Sequence, residues 1–159
     1  MLVALLLAAC SSGGEKSHTT VTAADAYNAA IRWYLGTVPA PTGTADTKPA
    51  VVYIAPESGK AINVGTQAAV AAEMADMKDV VVVRFADVRD DALDVDVDGK
   101  PVKDDGVLLL VGEIDEGQPP LDMNVGVYRN ADDQALYSMT ITRSGESFVA
   151  TSVTEVAQG

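Results

Sequence analysis

Four aspartates at regular spacing offer the sharpest chemistry in this chain. In "DVDVDGKPVKDD", Asp94, Asp96 and Asp98 occupy positions one, three and five of a D-x-D-x-D-G pattern, with Gly99 at six and Asp105 at twelve. Calcium takes about six to eight oxygen ligands, and alternating carboxylates closed by an acid at the twelfth position supply them. Asp105 is the shorter acid where a glutamate would reach further. The same stretch also reads as a β-hairpin, and its context favours that. Apolar, β-branched runs flank it on both sides, "VVVVRFADV" before and "GVLLLVGEI" after. Asp98-Gly99 is the dipeptide a two-residue type I′ turn prefers. That turn sets Val95 opposite Val102 and Asp94 opposite Lys103. Pro101 then confines the second arm to a sheet edge.

The remaining chemistry is set by exclusion. The sole histidine is His18 and the sole cysteine is Cys10, both before the first helical pattern. A Ser-His-Asp or Cys-His arrangement within the domain is therefore ruled out, as is a Cys/His zinc site. No glycine-rich phosphate loop is present. Carboxylates, tyrosines, lysines and arginines are left. A carboxylate base in an apolar pocket, with a tyrosine as oxyanion donor, would serve an isomerase. Tyr27, Tyr34, Tyr53 and Tyr137 fall on apolar faces, and Asp87 and Glu113 flank strand ends, but no spacing pairs any two. No catalytic residue and no cofactor is assigned. Trp33, Tyr34 and Arg84 stand as ligand-binding candidates. Arg84 interrupts an apolar strand, where a charge needs a carboxylate partner or an edge.

The net charge is −12. That argues against nucleic acid as a partner, because phosphate backbones select basic patches. It also disfavours electrostatic docking on anionic lipid. The N-terminus supplies a different route to a membrane. "LVALLLAA" is an apolar run too short to span a bilayer, and Leu7-Ala8-Ala9-Cys10 follows within it. This tetrapeptide resembles the bacterial lipobox. The resemblance implies that residues 1–9 are a lipoprotein signal peptide and that Cys10 becomes a lipidated first residue. No lysine or arginine precedes the apolar run, so the true start is expected upstream. The implied location is the cell membrane, anchored by lipid on its extracytoplasmic face. The implied partners are the membrane itself and either an envelope protein or a small ligand.

Residues 10–21 read as a flexible tether, rich in Ser, Gly and Thr. Residues 22–159 read as a single domain. "TAADAYNAAIRWYLG" is the clearest helix, with Thr22 as N-cap, Asp25 completing a capping box and Gly36 as the stop. "AVVYIAPESGKAINV" reads as a hairpin, with strands near 50–55 and 60–64. A second amphipathic helix follows, with Thr66 as its N-cap. "VVVVRFADV" reads as a well-buried strand. "GVLLLVGEI" is another, and the chain closes in a meander whose middle strand alternates Tyr137, Met139 and Ile141 with Ser138, Thr140 and Thr142. The expected fold is α+β, a curved antiparallel sheet packed on one or two helices. Over residues 22–156 this element order resembles the cystatin-like and ketosteroid-isomerase-like rolls. Three functions follow as expectations: a lipid-anchored, non-catalytic binding protein; an isomerase-like enzyme using a buried carboxylate; or calcium binding at Asp94–Asp105.

Overall fold

The computed structural model describes residues 19–37, 49–75 and 82–156. Its elements run α1 (Ala23–Thr37), β1 (Val51–Pro56), α2 (Val64–Ala75), β2 (Val82–Phe85), β3 (Val107–Val111), β4 (Leu121–Asn130), β5 (Asp133–Ser144) and β6 (Ser147–Val156). The strands form one open sheet in the order β2-β1-β3-β4-β5-β6. The α+β class and the C-terminal meander are as the sequence indicates.

The sheet is mixed rather than antiparallel throughout. β1 pairs in parallel with both β2 and β3, and the other pairs are antiparallel. Parallel neighbours need long crossovers, and these explain two departures from the sequence reading. Residues 60–64 do not form a returning strand. They lead instead into α2, which carries the chain back from β1 to β2. Asn63 caps that helix in place of Thr66: its Oδ1 accepts the Gly65 N–H at 2.7 Å. The second departure is burial. All six residues of β1 are buried, whereas "VVVVRFADV" yields a short edge strand with alternating exposure. A continuous apolar run marks a strand without saying whether it is central.

Two apolar layers sandwich the centre of the sheet. On the first face Ala26, Tyr27, Ala30, Ile31 and Tyr34 of α1 and Val70 and Met74 of α2 pack on Val52, Ile54, Leu109, Val125, Val127, Met139 and Ile141. Among the described residues, no helix of more than four residues covers the second face. The connection between β2 and β3, residues 86–106, crosses it as a strap. Ala86, Ala92, Leu93 and Val102 of the strap pack on Val51, Tyr53, Ala55, Leu108 and Tyr128. Gly106 lets the strap return past β1, because a Cβ there would stand 2.7 Å from the Val51 carbonyl oxygen.

α1 begins as its sequence indicates. The Thr22 hydroxyl and backbone N–H both donate to the Asp25 carboxylate, and Asp25 N–H donates back to the hydroxyl. Glu116 adds a carboxylate that accepts the Ala23 N–H at 3.0 Å, which suits the positive end of a helix. The helix runs through Gly36 to Thr37, so Gly36 is not its stop. Ahead of α1, Val21 pairs with Gly117 in an isolated bridge, where β3 ends and β4 has yet to begin.

Candidate functional site

The Asp94–Asp105 stretch is neither the expected hairpin nor an ion cage. The bridge that closes it joins Leu93 to Val102, not Val95 to Val102. Asp94 N–H donates to Pro101 O, Val97 N–H to Asp94 O and Lys100 N–H to Val97 O. Asp98-Gly99 does form the centre of a turn. Gly99 has a φ of +76° and Asp98 does not enter the positive region, which is a type II rather than a type I′ arrangement. The strap's inward positions go to Leu93 and Val102, and Val95 and Val97 are left half-exposed. Among the described residues no three His, Cys, Asp or Glu side chains gather to hold a metal, so Asp94, Asp96, Asp98 and Asp105 do not converge. The strap turns its carboxylates outward along its length, whereas a calcium loop wraps them around one point.

Arg84 finds both things its charge requires, an edge and a carboxylate. It projects from edge strand β2 onto the second face, where Arg84, Tyr53, Leu108 and Tyr128 form one row across four strands. Its Nη1 donates to Asp104 at 2.6 Å and to the Tyr53 hydroxyl at 3.1 Å. That hydroxyl donates in turn to the same Asp104 oxygen at 2.7 Å. The Tyr53 bond is the leading cause that holds the Asp104 carboxyl below its ordinary value, with Arg84 adding to it against desolvation. Farther along the row, Arg89 lies over the Tyr128 ring at 4.4 Å, a cation–π distance. The Tyr128 hydroxyl donates to Lys100 O. These contacts tie the strap to the sheet.

Trp33 and Tyr34, the other two candidates, come together on the first face near the C-terminal end of α1. The Trp33 ring meets Tyr137 edge-on at 4.8 Å. Tyr34 is buried, and its hydroxyl accepts from Arg129 Nη2 at 2.7 Å. Arg129 Nη1 also donates to Asp133 at 3.1 Å. Arg84 is not part of this group. Arg129 and Asp133 were missed by sequence reasoning, although a signal existed: Arg129 continues the inward phase of Met123, Val125 and Val127. A charge in that phase must meet a partner below the sheet.

Asn28 was also missed. It is the one buried polar side chain among the described residues, 3% exposed. Its Nδ2 donates to Glu73 at 2.6 Å, and Glu73 pairs with Arg32, which fastens α1 to α2. The carboxylate buried between helix and sheet that an isomerase-like reaction needs is absent from the described residues. Burial pushes the phenols of Tyr27, Tyr34, Tyr53 and Tyr137 upward, and Asp104 is pushed downward. Arg129 and Arg84 serve as planar donors within these internal pairs. Cys10 lies outside the described residues.

No family model matches the chain, and neither a curated protein nor a solved structure is significantly similar to it.

Proposed function

We propose that this chain is an exported accessory protein of the cell envelope, anchored by lipid on Cys10, that binds an envelope protein or a small ligand. The observation that carries this is the lipobox-like Leu7-Ala8-Ala9-Cys10 behind a leucine-rich run and ahead of a polar tether. The cysteine is required chemically because a thiolate accepts the lipid. A single acyl chain holds a protein only marginally, so such an anchor relies on several chains on one residue. Among the described residues no helix is long and apolar enough to cross a membrane.

Cys10→Ala tests the reading directly. The unaltered chain should fractionate with membranes and take up labelled fatty acid. The variant should do neither. A variant that still sediments with membranes and takes up label would refute the anchor.

A further inference from the structure

The strap's tip is hydrogen-bonded to the sheet and to itself while its apolar side chains stay outside. Four contacts pin the segment to the sheet or close it on itself: Val102 N–H to Arg129 O, Ala131 N–H to Gly99 O, the Tyr128 hydroxyl to Lys100 O, and Asp94 N–H to Pro101 O. Leu93 and Val102, at 1% and 4% exposed, do the packing. Val95 and Val97 each remain 48% exposed within a sequence of alternating aspartates. Among the described residues, Asp94, Asp96 and Asp98 form no ion pair with a basic side chain. Lys103 is turned away, its Nζ on Asp91 O. From 94 to 100 three aspartates and Lys100 leave a charge of −2.

From this we infer that the Asp94–Gly99 tip is a docking element for a second, different protein, one with an apolar cleft rimmed by lysine or arginine. Val95 and Val97 would enter the cleft, and the three carboxylates would meet its rim. The pinned backbone means that little ordering entropy is lost on binding. Complementary charge at the rim sets partner choice and encounter rate. Two other occupants fit this surface poorly. A second copy brings the same acidic tip on a chain of net charge −12. Anionic lipid is repelled likewise. The tether also leaves from the opposite end of the sheet: Val21 pairs with Gly117 just before β4 begins, whereas Gly99 bonds Ala131 just after β4 ends. The ten residues of β4 separate the two points by about 30 Å. On the anchored reading proposed above, on which this placement rests, the tether and the tip lie at opposite ends of β4.

The test is in-cell photocrosslinking of the full lipid-bearing chain, with Val97→p-benzoylphenylalanine and, as a control on the open meander face, Thr154→p-benzoylphenylalanine. A discrete adduct should form from position 97 and not from 154. The crosslinked peptide should belong to another protein and be rich in lysine or arginine beside apolar residues. Asp94→Asn, Asp96→Asn and Asp98→Asn together should reduce its yield severalfold. An adduct to lipid, an adduct to this same chain, a yield indifferent to the aspartates, or no adduct would each overturn the inference. Membrane fractionation of the same cells reads the anchor separately. An adduct without membrane association would therefore refute the anchor and leave the docking element standing.

Discussion

Arg84 and Asp104 meet at 2.6 Å across the open margin of the sheet, one on an edge strand and the other at the returning end of the strap. Asp104 has a φ of +58° and Asp105 one of +50°, left-handed conformations that non-glycine residues seldom adopt. The ion pair, with the Tyr53 hydroxyl on the same oxygen, is what holds that unfavourable turn in place. An exposed pair adds little to global stability, and its effect here is local.

Breaking the clamp should therefore loosen the strap without unfolding the domain. In Tyr53→Phe and Arg84→Met, hydrogen exchange at the Val102 and Gly106 amides should quicken, while the melting temperature stays close to that of the unaltered chain. The clamp should also respond to acid. A carboxyl held below its ordinary value stabilises the fold above its unfolded value, near 4, and loses that contribution as pH falls through the lower folded value. Strap exchange should accelerate below about pH 4, and Tyr53→Phe should weaken that dependence.

Leu93 offers a clean separation between strap and hairpin. As a packed cover for the second face, Leu93→Ala should cost about 2–5 kcal/mol in chemical denaturation. Val95→Ser should stay within about 0.5 kcal/mol, as a surface change does. Reversed sizes would restore the Val95–Val102 hairpin.

Gly106→Ala should destabilise by about 1–3 kcal/mol, because its Cβ would collide with a backbone carbonyl rather than a yielding side chain. A calorimetric melt would check this. An unchanged melting temperature would show that strap and β1 are not in the contact described.

Asn28→Asp should set a second carboxylate against Glu73 in a buried interface. A loss of roughly 3 kcal/mol at neutral pH is expected. The introduced acid would have its folded value raised, so its neutral form would be the better tolerated. Stability relative to the unaltered chain should recover as pH falls toward 4. Denaturation curves at two pH values would show it.

High pH should weaken the fold. The phenols of Tyr27, Tyr34, Tyr53 and Tyr137 are all raised, with burial as the first cause. Raised folded values stabilise fully below the unfolded value near 10 and lose that contribution as pH climbs through the folded ones. Ultraviolet difference spectra should show tyrosines ionising late, together with unfolding. A single early titration of these four would contradict the burial.

Local chemistry was legible in the sequence because its causes are local. The Thr22–Asp25 capping box, the apolar rows of α1, and the alternation of Tyr137, Met139 and Ile141 each depend on residues a few positions apart. Only the tertiary structure decided what depends on layers. "VVVVRFADV" and "AVVYIAP" look equally apolar, yet β1 lies inside the sheet with all its residues buried and β2 lies at the margin. That difference is made by the strap on one face and the helix-packed core on the other, which bring residues remote in sequence onto β1. The same cause recast the acidic stretch. The spacing of Asp94, Asp96 and Asp98 is written in the sequence. Which neighbours turn inward was settled by the sheet beneath, which gave burial to Leu93 and Val102 and left Val95 and Val97 facing water.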